Sequence, residues 1–235
     1  MAMSNQVKFI LFLCYNRTIA TRLHEEIIMT NMKLTTTLNK IRTCSPCSSG
    51  WKKLLSHLGT DFNPDAEINL LTVLQSNGVT DMLWMLRATE QDSKRIASQL
   101  AIEFAEQSLP IFENRHPEDQ RPRRAIQAAR DYLDGKIDLE ALRKARVHAA
   151  DAADAAGAAA HAYAAYAVDA AAHVAYAYAA SADADAADAA AHAACAAADV
   201  AAHVAYAYAA SADADATRKK AREKQADIIR MILEA

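Results

Sequence analysis

From residue 37 onward apolar positions recur at three- and four-residue intervals and are broken by capping and stop residues, a pattern that predicts successive helices. In "SSGWKKLLSHLG" Ser48 or Ser49 is the expected N-cap, Trp51, Leu54, Leu55 and Leu58 form the apolar stripe, and Gly59 is the stop. "NPDAEINLLTVLQSNG" reads as a second helix, with Asn63 as cap, Pro64 in the first position, and Asn77 with Gly78 at its end. "TDMLWMLRA" makes a third, capped by Thr80 or Asp81 and burying Leu83, Trp84 and Leu86. A longer stripe follows through Ile96, Leu100, Phe104 and Leu109, which Pro110 is expected to bend or end. Next, "HPEDQRPRRAIQAARDYLDG" places Pro117 in a turn, Pro122 near a helix start, Ile126, Ala129 and Leu133 inward, and Gly135 at the end. Asp138 then caps "LEALRKARVHAADAADAA".

That last helix runs into a stretch of another kind. Residues 149 to 216 use only Ala, Asp, His, Tyr, Val, Ser, Cys and a single Gly. Alanine has the highest helix propensity, but burying its methyl group contributes far less than a full-sized apolar side chain. "AAHVAYAYAASADADA" at 171–186 returns unchanged at 201–216, thirty positions later. In each copy Ser181 or Ser211 is a good N-cap, with Asp183 and Asp185, or Asp213 and Asp215, in the first turn, where negative charge is favoured. The spacing fits one long helix or one helical hairpin per repeat. Stacked antiparallel helices are therefore expected, with Tyr163, Tyr166, Tyr176, Tyr178, Tyr206 and Tyr208 supplying the large contacts. "TRKKAREKQADIIRMILEA" closes the chain as an amphipathic helix packing Ile228, Met231 and Ile232. No period-two pattern is sustained, so the expected class is all-α: an array of short antiparallel helices followed by stacked Ala-rich helices.

Charge divides the chain in the same place. The net charge is −3, yet 149–216 holds nine of the 29 acidic residues and no Lys or Arg, leaving 26 basic against 20 acidic residues elsewhere. An acidic block argues against nucleic acid as that segment's partner. Four Cys, at 14, 44, 47 and 195, are too sparse for a disulfide scaffold and suggest a reducing, cytoplasmic setting. "FILFLCY" at 9–15 is short of the roughly 20 residues that span a bilayer and lacks the flanks of a signal peptide, so no membrane partner is expected. The two Glu codons just before Met29 are purine-rich, as a bacterial ribosome-binding site is, so the expected start is Met29 or Met32.

Candidate chemistry is thin. Asp169 with His173, Asp188 with His192, and Asp199 with His203 are spaced i, i+4, and the third stripe continues through Cys195 and Tyr206. Such a face could bind a metal, although Asp–His pairs also serve as the polar side of an Ala-rich helix, and no zinc signature is present. Neither metal nor any other cofactor is expected. "CSPC" at 44–47 lacks both the βαβ context of a redox pair and a second Cys-x-x-Cys for zinc. A Gly-rich phosphate loop, a G-x-S-x-G elbow and an H-E-x-x-H helix are all missing, so no catalytic residue is assigned. "RPRR" at 121–124 reads better as a charged helix start than as a nucleic-acid footprint.

Residues 109–160 resemble the putative immunity protein family of bacteria and phages. The likeness rests on His116-Pro117-Glu118-Asp119-Gln120-Arg121-Pro122-Arg123, then Ala125-Ile126 and Ala128-Ala129-Arg130, leading into an Ala-rich tail. "GWKKLLSHLG" and "LLTVLQSNGVTDMLWMLRA" extend it over most of 35–160, while the tail here uses Tyr and His where Trp and Arg are common in the family. The resemblance implies a protein that neutralises a toxin, and it carries over no catalytic residue. Three regions are expected: a non-native or flexible extension at 1–34, a helical region at 35–147, and the Ala-rich repeat with its amphipathic helix at 148–235. The expected function is non-catalytic binding of a toxin or host-defence component. Tyr176, Tyr178, Tyr206 and Tyr208 are the expected contacts, rimmed by Asp183, Asp185, Asp213 and Asp215, unless these Tyr fill the core. A structural protein that forms homo-oligomers, or a metal-binding helical protein, are the alternatives.

Overall fold

Helix follows helix in the computed structural model, which describes residues 33–155 and 214–235. The order is β1 (Thr35–Thr36), α1 (Leu38–Thr43), α2 (Ser48–Leu58), β2 (Ile68–Asn69), α3 (Leu70–Asn77) and α4 (Val79–Met85), which ends in a 3₁₀ turn at Leu86–Ala88. Then come α5 (Lys94–Arg115), α6 (Arg121–Leu133), α7 (Leu139–Ala155) and α8 (Ala214–Glu234). The class is all-α, as the periodicity predicts. Most of the repeat region, all three Asp–His stripes, Cys14 and Cys195 lie outside the described residues.

A two-stranded antiparallel pair breaks the run of helices, with Thr35 opposite Asn69 and Thr36 opposite Ile68. It corrects the second predicted helix. Asn63 and Pro64 do begin a turn, in which the Asn63 carboxamide accepts from the Asp65 amide at 3.0 Å. The chain then extends so that Ile68 can be buried beside β1, and Asn69 caps α3 instead, accepting from the Leu71 amide at 2.8 Å. Thr36 is fully buried, and its hydroxyl donates to the Ala88 carbonyl. The Glu90 amide donates to the Thr35 carbonyl at 2.8 Å, and Gln91 accepts from the Thr35 amide at 2.8 Å, so the short strand is satisfied on its far side too.

Helix ends otherwise follow their caps. Thr37 accepts from the Lys40 amide to start α1, and Asp138 accepts from the Ala141 amide at 2.8 Å to start α7. The N-cap of α2 is Cys47, one residue before the expected serines. Ser45 is left-handed (φ 54°) and Pro46 follows it, so Cys47 is the last extended residue, and its carbonyl takes the Trp51 amide at 3.0 Å. Gly78 at φ 95° both closes α3 and opens α4, a backbone conformation that only glycine adopts without strain, and it displaces Thr80 and Asp81 as the cap.

The core runs from β1 to α8. α5 is its axis, 22 residues and about 33 Å long, with Pro110 inside it rather than at its end. The predicted stripe holds at Leu100, Phe104 and Leu109, but Ala97, Ala101, Ala105 and Ile102 are buried as well, because α6 and α8 both pack on this helix. The alanines allow close approach and the larger side chains fill the remaining space. α6 and α7 form a hairpin through Ala125, Ile126, Ala129 and Leu142. α8 packs against α3, α4 and α5 with a register different from that expected: Ile229 and Gln225 are fully buried, Ile228 and Ile232 partly so, and Met231 is 60% exposed. None of the described helices is long and apolar enough to cross a membrane.

Candidate functional site

α1, α2 and α4 meet around an open-sided apolar groove of about 320 Å³, within the range of ligand pockets. Both tryptophans of the chain line it, Trp51 from α2 and Trp84 from α4, over a floor that includes Ile41, Leu54 and Met85. The sequence pattern places Trp84 in the core; the structure leaves it half-buried, because Leu83 and Leu86 take the inward positions and turn the indole to the groove. Each indole carries a cation. The Arg42 guanidinium lies 5.1 Å from the Trp51 ring centroid, and that of Arg87 lies 4.9 Å from Trp84.

The groove is held by a polar clamp. α2 passes so close to α4 at Gly50 that a Cβ there would come within 2.8 Å of an Asp81 carboxylate oxygen. The Asn77 carboxamide donates to the Gly50 carbonyl at 2.8 Å and to Asp81 at 2.7 Å, while the Lys53 ammonium donates to the Asn77 carbonyl at 3.1 Å. Cys47 stands at the mouth. The Ser49 hydroxyl at 3.4 Å, and then the Gly50 amide at 3.3 Å, hold its thiol below the usual value, against the opposing effects of burial and the Asp81 charge. Cys44 and Cys47 are both free thiols.

A second set of charges sits on α5 and α6 and is mutually satisfied. Asp119 accepts from the Arg121 guanidinium at 2.9 and 2.6 Å and from its backbone amide at 3.1 Å. The Arg121 hydrogen bond is the main reason the Asp119 carboxyl is held below its usual range. Arg123 makes a two-pronged pair with Glu113 at 2.6 and 2.7 Å. Arg130 reaches from α6 across to α5, donating to Glu106 and, at 2.8 Å, to Glu103, and Glu106 contributes most to keeping it protonated. The "RPRR" cluster is thus a paired helix start at Arg121 and Arg123, as its sequence context suggests.

Of the predicted contact residues, Asp215 lies in α8, while Tyr176, Tyr178, Tyr206, Tyr208, Asp183, Asp185 and Asp213 lie outside the described residues. Among the described residues no group of three or more His, Cys, Asp and Glu could hold a metal ion. Sequence reasoning passes over Arg42, Gly50 and Arg87, and gives Asn77 and Asp81 helix-end roles alone. Trp84 with Arg87, spaced i, i+3, is a readable signal of a shared face; Arg42 reaches Trp51 only through the fold.

Fold and site together define a mostly helical scaffold with an ion-paired hairpin and a separate aromatic groove. Residues 87–181 match the family described as Imm-5 like putative immunity protein. The match includes the motif that carries the resemblance and leaves out the chain before Arg87, hence α1 to α4. Immunity proteins generally act by binding and neutralising a toxin and are generally not catalysts. No curated protein and no solved structure matches the chain.

Proposed function

We propose that this protein is a non-catalytic binding protein of a bacterial or phage cytoplasm that sequesters one toxin or host-defence protein. The observation that carries this reading is the immunity-family match over 87–181. The α5–α6 hairpin inside that match is consistent with a scaffold role, since Arg121, Arg123 and Arg130 are all engaged by carboxylates. In this reading residues 35–147 provide the scaffold and residues 148–235 add surface, with Tyr176, Tyr178, Tyr206 and Tyr208 as contacts and Asp183, Asp185, Asp213 and Asp215 at the rim.

Each product of the flanking genes that inhibits growth when expressed alone would be titrated with the purified full chain to test the proposal. Sequestration predicts that residual toxicity falls linearly to zero at a fixed molar ratio, with a complex of matching stoichiometry in sedimentation. Full protection by a small fraction of an equivalent would mean turnover and defeat the non-catalytic reading. A stable homo-oligomer that ignores the toxin would favour the structural alternative.

A further inference from the structure

We propose that the Trp51–Trp84 groove is a binding site for a small neutral aromatic molecule that carries one hydroxyl or ring N–H donor, its ring lying among the apolar side chains and its donor on Asp81. The inference goes beyond the toxin-binding reading and does not rest on it.

Size and lining set the shape of the occupant. At about 320 Å³ the cavity stands at the small end of ligand pockets, which suits one or two fused rings better than a chain-like molecule. Trp51 and Trp84, with Ile41, Leu54 and Met85, supply most of its lining. An aromatic ring gains from offset or edge-to-face contact with indoles beyond the area that it buries. The open side gives it entry.

Charge disfavours both kinds of ion. The lining holds one cation, Arg87, and one carboxylate, Asp81. Arg87 is engaged, because its Nε–H donates to the Trp84 carbonyl at 3.1 Å and its guanidinium lies 4.9 Å from the Trp84 ring centroid. An anion brought into this apolar lining meets Asp81 and a cation meets Arg87, so either would give up hydration beside a like charge. A neutral molecule does neither.

Hydrogen-bonding capacity sets the last requirement. Asn77 spends both of its amide N–H groups, on the Gly50 carbonyl at 2.8 Å and on Asp81 at 2.7 Å. Asp81 takes that bond on one carboxylate oxygen, and no donor among the described residues meets the other. The unspent group of the clamp is therefore an acceptor, which a hydroxyl or ring N–H on the occupant would satisfy.

The full-length protein at pH 7 would be titrated calorimetrically with β-naphthol, with its methyl ether, and with β-naphthoate and β-naphthylmethylammonium. β-Naphthol is expected to bind with a dissociation constant below about 1 mM, and roughly tenfold more tightly than the ether, which keeps the rings and loses the donor. Both ions should bind more weakly than β-naphthol. Cys47 lines the groove and is exposed, so it locates the site: saturating β-naphthol should slow its alkylation by iodoacetamide, read by peptide mass spectrometry, with Cys44 as the internal reference. Asp81→Asn should erase the preference for β-naphthol over the ether while leaving the ether's own affinity in place, a result that a damaged fold would not give.

Equal or tighter binding of the ether overturns the proposal. So does tighter binding of either ion, or β-naphthol binding that leaves the alkylation of Cys47 untouched. Binding of none of the four overturns it as well; if the protein then sediments as a dimer with Cys47 protected, the groove belongs to a second copy of the chain. None of these outcomes depends on the toxin titration, so the two readings fail or stand separately.

Discussion

The hairpin of α5 and α6 and the groove between α2 and α4 both have arginine beside them, and they hold it by different contacts. On the hairpin each guanidinium meets a carboxylate: Arg121 with Asp119, Arg123 with Glu113, Arg130 with Glu103 and Glu106. Beside the groove Arg42 and Arg87 lie against indole faces, and the Arg87 Nε–H also donates to the Trp84 carbonyl at 3.1 Å. An arginine matched to a carboxylate spends its directed hydrogen bonds inside the fold, whereas stacking on a ring engages the flat face of the guanidinium and directs no donor at the ring. Arg121, Arg123 and Arg130, which are among the residues that mark the family resemblance, thus hold the scaffold.

The sharpest way to break this contrast is to weaken the core that both regions share. Phe104→Ala removes a fully buried ring from α5 and should cost about 3 to 5 kcal/mol, measured as a fall in the urea midpoint, with the groove lost only as the whole fold is lost. Arg130→Ala should cost about 1 to 2 kcal/mol, a figure held down by the 35% exposure of its side chain. Arg130→Lys should recover little, since a single ammonium cannot span Glu103 and Glu106 as the planar fork does.

A smaller effect belongs to Asp119 and depends on pH. Its folded-state value is depressed, so its contribution is present above the unfolded carboxylate value, near 4, and is lost as pH falls through the folded value. Asp119→Asn should therefore lower the urea midpoint at pH 7 and converge with the wild type in strong acid; a gap that persists there would mean the ion pair is not its source. Smallest of all is Cys47→Ser in the groove. Serine is a better N-cap than cysteine, so stability should stay level or rise by up to about 0.5 kcal/mol. Between Cys44 and Cys47, the fast-reacting thiol in a colorimetric thiol assay should disappear with this substitution, because Cys47 is the exposed one with the lowered value.

Much of the helical layout is legible in the residue order alone. Asp138, Gly135 and the Asn77–Gly78 pair act through backbone geometry that neighbouring residues do not override. The two-residue strands escape such reading, since so short a segment has no period, and only the pairing with Thr35–Thr36 makes Ile68–Asn69 extended. α8 shows the other failing of pattern. Ile228, Ile229, Met231, Ile232 and Leu233 are all apolar, and the choice of Ile229 over Met231 for the core depends on which helices it meets. The groove is hidden for the same reason: periodicity gives an apolar stripe its direction, but not how much of its width a neighbour will cover. Of the contacts predicted in the Ala-rich repeat, only Asp215 falls on a described element.

Gly78 joins α3 to α4 with no spare residue, as the last cap of one and the first of the other. Chain length at that joint is consequently part of the groove's geometry. One inserted residue would rotate α4 by roughly 100° about its own axis, carrying Trp84 off the groove wall and Leu83 out of the core together. Divergent descendants of this chain can change the groove's spacing here only by rebuilding the joint.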